Sequence, residues 1–558
     1  MPKTKVKPKS QSKKKQKAQA TAAATEPQLS KKELRRIARA KAKDRQQVIA
    51  AIIPILLASV VLGAIISSVA EPKLGIAGGA AIACLALSYR FPRYAIYGFI
   101  FYLPLSGTVT YALGGSAVLT LAKDAIFFPA LLTVILFCLK YKQPLVQPPE
   151  LRLPLIIFMT YSMAVLLFVN GSQQLSSSGE QPILLGILGL KALVGYLLLI
   201  TCIHYLIRTK ENLYFLLRTQ AVLIIICCIL GFIQYMMLKS GSCPPTQGEG
   251  DELFKASLES RCFVGGALLY SPQFGVIRLP GTFVAPWQWG WFLISSTFFA
   301  FGTAFNDRSI IWRGIGILAM VMVGVMAVVS GQRIALALVP ASVVLLLLMT
   351  GQLLQPKRFL PIAVGLAGIL VFLAIQYPEV LSGSIDSFVS RWNAAPPTDF
   401  ITHQLDWAMK EQRGFLGRGL GRATNAARIF GKTVLVETYH SKVLYEMAPL
   451  GLILLLSLFT VLVITTFKAY RSIKDPNLRG YGAAMFTFVL FISYFPYYYP
   501  LDVDPVNVYY WLAAGIALKL PDLDRQERAN NTGTGKKLTK KELKQLQKSQ
   551  KSIEFRWP

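Results

Sequence analysis

The chain has 558 residues, of which 53% are hydrophobic and only 16% charged, and its mean hydropathy is +0.47. Such a chain has too little polar surface for a string of soluble domains, and its apolar runs are long enough to cross a bilayer. A net charge of +31, and seven cysteines with neither a CxxC nor an HExxH motif, exclude a disulfide-dense scaffold, a structural zinc site and a zinc protease.

The first segment, residues 1–47, carries about +13 and few apolar residues, so it reads as a solvated basic tail. It is too long and too basic for the leader of a secretory signal. Its Lys13–Lys15, Lys31-Lys32 and Arg35-Arg36 runs are expected to stay cytoplasmic, where they meet anionic membrane lipids. No aromatic interleaving or RNP-like motif accompanies the charge, so no nucleic-acid partner is expected.

The expected fold class is all-α: a polytopic bundle of about fourteen membrane spans with a large extracytoplasmic loop. Within residues 48–237 the predicted spans are Val48–Val69, Leu74–Ser88, Tyr94–Tyr111, Asp124–Leu139, Leu153–Val169, Pro182–Ile207 and a seventh ending at Met237. Residues 238–285 form a first outer loop holding Cys243 and Cys262, which are either disulfide-bonded or two separate thiols. Residues 286–377 supply Pro286–Ala304, Gly314–Val329, Ile334–Thr350 and a span ending near Tyr377. Residues 378–445 form the large outer loop. Residues 446–520 hold Met447–Phe467, Ala483–Tyr499 and Val506–Leu518, and 521–558 form a second basic tail, with a short helix expected over Lys536–Lys551. Lys and Arg cluster in alternate short loops, which places both termini in the cytoplasm and the two long loops outside the plasma (inner) membrane.

The large loop is dense in polar chemistry. A helix is expected from Thr398 or Asp399 to Gln412, with Ile401, Leu405, Ala408 and Met409 on one apolar stripe that lies flat on the membrane face or on the bundle. The run Gly414-Phe-Leu-Gly417-Arg418-Gly419-Leu-Gly421-Arg422 lacks the GK[ST] of a phosphate loop and reads as flexible backbone bearing two guanidinium groups. Of three histidines, His204 reads as structural and His403 as exposed. His440 stands at the outer end of a span among arginines, where a neutral imidazole can take a proton from a hydroxyl. Arg333 is an isolated cation between two apolar spans, and Lys191 another inside an apolar run; both are costly positions that point to function. Arg333 and Arg391 together would suit a diphosphate, because guanidinium forks bind phosphate oxygens in pairs.

These residues resemble the O-antigen ligase and polymerase superfamily. The similarity rests on Ser330-Gly331-Gln332-Arg333, Arg391-Trp392, Gly414…Gly417-Arg418-Gly419, Tyr439-His440…Tyr445-Glu446…Gly451 and the upstream Arg278-Leu-Pro-Gly-Thr-Phe-Val-Ala-Pro286, with Asp124 fitting the early part. Gln332 and Trp287 depart from the family pattern. The resemblance implies a metal-independent, inverting membrane glycosyltransferase of GT-C type with no cofactor, in polysaccharide biosynthesis, with a cyanobacterial exopolysaccharide system as an expected setting. A glycan would pass from a polyprenyl diphosphate to an acceptor sugar hydroxyl, on a growing glycan or a lipid, and other export proteins are further expected partners. It assigns His440 as base with Glu437 orienting it, Arg333 and Arg391 to the diphosphate, and Arg278, Arg418, Arg422 and Lys191 to further substrate contact. The alternative is a multi-pass transporter of inorganic carbon or a small solute.

Overall fold

The computed structural model describes residues 31–532, apart from 70–71, 114–121, 177–178, six positions between 249 and 259, most of 355–377, and 395. The expected eleventh span, the C-terminal helix over Lys536–Lys551 and most of both basic tails lie outside the described residues, as does the side chain of Arg391. The chain divides into two units, Met1–Leu87 and Ser88–Pro558. The first holds helix α1 (Lys31–Val69) and most of α2 (Pro72–Arg90).

Almost everything else is helical as well. In the larger unit α3 (Pro92–Tyr102), α4 (Ser106–Ala112), α5 (Ala122–Lys140), α6 (Arg152–Ala164), α7 (Gly171–Ser176), α8 (Pro182–Val194), α9 (Leu199–Leu206) and α10 (Lys210–Lys239) come first. Then follow α11 (Pro286–Asn306), α12 (Ile310–Val329), α13 (Arg333–Met349), α14 (Pro378–Ala394), α15 (Pro397–Glu411), α16 (Tyr439–Ser472), α17 (Pro476–Tyr494) and α18 (Val506–Thr532). The named strands, β1 (Leu269–Ser271) and β2 (Val276–Arg278), form one antiparallel hairpin with Tyr270 opposite Ile277.

Six described helical stretches are long and apolar enough to cross a membrane: Val48–Val69, Ala122–Lys140, Pro149–Ser176, Lys210–Lys239, Ile310–Val329 and Tyr439–Ser472. A seventh arises if α8 and α9, bent by 48° at their junction, form one span. The remaining expected spans differ for identifiable reasons. Tyr94–Tyr111 is split by a 3-10 turn at Leu103–Leu105, where Pro104 interrupts the helix. Arg333–Met349 is apolar but only 17 residues long. Helices α11 and α18 carry polar and aromatic side chains that dilute their hydropathy, because their neighbours are protein. From Trp289 to Ala304 α11 is buried on every side, and so is α18 from Val506 to Ala517, which puts both at the centre of the bundle.

Aromatic rings fill the space between them: Phe299 lies 5.4 Å from Tyr509, and Phe298 4.8 Å from Phe488 on α17. Two of their polar tips are paired inside the bundle. Gln220 Nε2 donates to the Tyr509 hydroxyl at 2.7 Å, and Ser493 and Tyr510 share a hydrogen bond at 2.8 Å. An apolar surrounding makes each such pairing obligatory.

One end of the bundle is tied by ion pairs. Asp475, before α17, accepts from Lys210 at 3.1 Å and Arg308 at 2.8 Å, and Glu527 of α18 binds both cations as well. Main-chain groups of Lys474 and Asp475 donate to Asp524. Asp307, fully buried, accepts both arms of the Arg218 fork at 2.8 Å. Removing one partner of such a pair strands the other charge. Arg218→Met is therefore expected to destabilise the protein by about 2 kcal/mol or more, read as a lowered unfolding temperature in detergent. An unchanged unfolding temperature would show that Asp307 finds another donor.

Candidate functional site

The opposite end is organised by a break in α16. Ala448 has φ 58 and ψ 177 inside this helix, followed by Pro449. Proline has no N–H to give and its ring displaces the preceding turn, so carbonyls of the turn before it lose their helical partners. Three of these carbonyls are taken by groups from elsewhere. Arg418 N–H donates to Tyr445 O at 3.0 Å and Gly419 N–H to Glu446 O at 3.1 Å. The Tyr161 hydroxyl, from α6, donates to Met447 O at 2.8 Å.

The Gly-rich run is thus a clamped loop, which corrects the expectation of flexible backbone. Its glycines are needed for close approach and left-handed geometry. Gly417 has φ 79, and a Cβ there would meet Glu446 O at 2.6 Å; Gly421, at φ 83, lies against Leu185 O at 2.1 Å from any added Cβ. The loop's other side rests on Asn170. A π-helical stretch over Val165–Asn170 ends with this side chain fully buried, as such bulges often do at functional sites. Its amide donates to Leu420 O at 3.0 Å and Pro182 O at 2.9 Å and accepts from Leu420 N at 2.9 Å. Glu446, buried beneath, accepts from Ala423 N at 2.7 Å and Thr424 Oγ1 at 3.2 Å.

Helix α15 begins at Pro397, close to the expected start, and of its apolar stripe Ala408 is buried in the protein. Trp407 and Ala408 face inward, with Trp407 stacked on Tyr445 at 5.2 Å, while Leu405 and Met409 are exposed. His403 is exposed. The preceding 17 residues, read as loop, form the helix α14.

A cavity of about 740 Å³ opens beside these elements. Arg278, Arg333, Glu437 and Tyr498 line it, together with the apolar Ile334, Leu338, Phe388, Trp392, Phe400 and Phe495. Arg278 ends β2, and Leu279 N donates to Ser330 O at 3.0 Å, which sets β2 against the turn that carries Arg333. That turn needs Gly331: a Cβ would stand 1.7 Å from Ile277 O. A smaller cavity of about 260 Å³ shares Arg278 and Arg333.

Glu437 N–H bonds Gln404 of α15 at 3.3 Å. Two residues on, Tyr439 N donates to Pro496 O at 2.8 Å, and Thr438 pairs with Tyr497. The wall of the cavity and the first turn of α16 are therefore one hydrogen-bonded unit. His440 sits in that first turn, half-buried, and its Nε2 is buried without a hydrogen-bond partner; it is not among the residues lining the cavity.

The other expected site residues fall elsewhere. Arg418 donates to the main chain and carboxylate of Glu411, at 2.5 and 3.1 Å. Arg422 is held by Gln173 at 2.7 Å and Glu180 at 2.9 Å. Lys191 pairs with Asp124 at 2.6 Å, whose other oxygen accepts from Tyr196 at 2.7 Å. Arg391 lies on α14, the helix that supplies Phe388, Ser390 and Trp392 to the cavity.

Sequence reading missed the acidic loop Asp502-Val503-Asp504. Asp502 binds Lys442, which is fully buried on the His440 helix, and Asp504 binds Lys123 at 3.0 Å. Burial pushes the Asp502 carboxyl above the ordinary aspartate range despite Lys442. For Asp504 burial acts the same way, but Lys123 and Lys191 outweigh it and hold the group below that range. The available signal was ionisable residues at span ends, where each needs a partner. The disulfide question is answered: Cys243 and Cys262 are bonded, and Gln234 Nε2 of α10 binds Cys262 O at 2.9 Å. Among the described residues, no three His, Cys, Asp or Glu side chains come together to hold a metal.

Comparison with known protein families finds no match to this chain. Comparison with curated protein sequences finds none either.

The Glu180–Arg422 pair gives a pH test of the clamped loop. The hydrogen bond from Arg422 holds Glu180 below the usual glutamate value. A depressed carboxyl contributes its stability fully above the unfolded value, about 4.3, and loses it as pH falls through the folded value. Amide exchange over residues 418–435 should accelerate as pH drops below about 4, after correction for intrinsic exchange. Arg422→Gln should remove that extra pH dependence, and identical profiles for both proteins would refute the linkage.

Proposed function

We propose that this protein is a membrane glycosyltransferase that moves a glycan from a polyprenyl diphosphate to an acceptor sugar hydroxyl, as a polysaccharide polymerase or ligase. The observation that carries this reading is the 740 Å³ cavity, which sets two guanidinium groups and one carboxylate against an apolar wall. That mixture matches an anionic head on an apolar chain: Arg278 and Arg333 for phosphate oxygens, and Ile334, Leu338, Phe388 and Phe495 for prenyl carbons. The chain crosses the plasma membrane about fourteen times in this proposal, with both termini in the cytoplasm. The Cys243–Cys262 disulfide supports an outward-facing loop end, since such bonds persist in oxidising compartments.

The reaction is a single displacement. The acceptor hydroxyl oxygen attacks the anomeric carbon, the bond from that carbon to the diphosphate oxygen breaks, and the diphosphate leaves with the electron pair. Configuration therefore inverts. Arg278 and Arg333, with Arg391 from α14, neutralise the charge gathering on the leaving group, as pre-placed cations do. In this proposal His440, three residues beyond Glu437 in the first turn of α16, takes the hydroxyl proton. Glu437, on the cavity wall, orients His440 in this proposal.

The buried pairs Lys123–Asp504, Lys191–Asp124 and Lys442–Asp502, next to a broken helix, are features an ion-coupled transporter also uses. Solute uptake is the discriminating assay.

The test is the glycan profile of cells carrying variants at matched membrane levels. His440→Ala should lower polymer formation roughly a hundredfold or more and leave lipid-linked units to accumulate. Arg333→Lys should lose activity comparably, because an ammonium cannot supply a paired fork. Normal polymer in both variants would sink the transferase reading. An inactive Glu437→Gln beside an active His440→Ala would move the base to Glu437.

A further inference from the structure

We propose that a second cavity at the loop end, between the 179–181 turn and the 425–435 segment, binds the phosphate headgroup of a membrane lipid. It measures about 840 Å³ and is lined by Glu180, Gln181, Asn425, Arg428, Lys432 and Thr433, among others, none of which it shares with the cavity of Arg278 and Arg333.

Its walls are built rather than loose. Gln181 N donates to Phe430 O at 2.7 Å, Lys432 N to Glu180 Oε1 at 3.2 Å, and Val434 N to Arg422 O at 2.8 Å. Arg422 closes the back, bonding Glu180 at 2.9 Å and Lys432 O at 3.1 Å. The one lining carboxylate is thereby balanced by a guanidinium behind it. Arg428 and Lys432 add two further cations, and both side chains are exposed. With Glu180 as the one carboxylate beside Arg428 and Lys432, the lining is net positive.

The rim indicates where the anion comes from. Ile429 and Leu435, on either side of the cations, are 63% and 61% exposed. Ile183, Leu184 and Ile187 of the adjoining α8, one of the two helices of the bent apolar pair, are exposed too. Free phosphate offers nothing to such a rim. A lipid satisfies both halves, with its headgroup on Arg428 and Lys432 and its glycerol and acyl carbons on the apolar residues. The basic tails are not involved, and the proposal does not depend on glycan transfer.

The test uses the full chain in nanodiscs of phosphatidylcholine with graded phosphatidylglycerol, reading lipid retained by the protein in native mass spectrometry. Wild type should retain phosphatidylglycerol over phosphatidylcholine. Arg428→Gln with Lys432→Gln should weaken this preference roughly tenfold, whereas Arg428→Lys with Lys432→Arg should keep it. Arg413→Gln removes an exposed charge from the same loop, outside the cavity, and should bind like wild type. Equal retention by the double glutamine variant would overturn the site. Displacement of the lipid by equimolar inorganic phosphate would overturn a lipid ligand in favour of a free anion. A protein inactive in glycan transfer that still shows this pattern would leave the site standing and remove only the transferase reading.

Discussion

Pro449 imposes the constraint from which the rest of the loop end follows. A proline deep in a long apolar helix leaves main-chain carbonyls that no water is present to receive. The chain meets that demand with Arg418 N–H, Gly419 N–H and the Tyr161 hydroxyl. Once those donors are committed, the Gly-rich run has no freedom, and its position fixes the segments on either side. Helix α15 is held by the Trp407–Tyr445 stack, and the 425–435 segment by Arg422 and Glu180. A single residue that damages a helix thereby organises about twenty residues of loop.

The cations divide by the same logic. An arginine in a region poor in water must be answered by protein or left facing a cavity. Arg418 and Arg422 are answered by Glu411, Gln173 and Glu180, and Lys191 by Asp124. Arg278 and Arg333 both line the cavity, because β2 lies along the Ser330–Arg333 turn. The same segregation separates the two ends of the bundle. One spends its charges on Asp475, Asp307 and Glu527, holding helices together, and the other keeps several turned outward.

Much of this is written in the sequence at short range. Apolar runs announced the long helices, and Arg333, a cation between two of them, stands on the lining of the cavity. The start of α15 followed from its local signals, but the stack of Trp407 on Tyr445, from a different helix, did not. Helix α14 was hidden by its composition, with four serines and a glycine among few strong helix formers. Asn170, Lys442 and the Asp502–Asp504 loop were invisible because their meaning lies in partners 60 or 250 positions away. Lys191 misled for that reason: alone it looks like a ligand for phosphate, and beside Asp124 and Tyr196 it is one member of a neutral cluster.

The Asn170 contact also has a consequence in time. Its amide partner at Leu420 is 250 residues downstream. At translation rates of about 5–20 residues per second, those residues emerge roughly 12–50 s after Asn170 does. Until then two of the three hydrogen bonds of the Asn170 carboxamide, both to Leu420, lack their partner. The half-finished chain can complete this site only when the Gly-rich run arrives. A chain stalled before residue 414 therefore leaves Asn170 without both of its Leu420 partners, so this site is among the last that synthesis can complete.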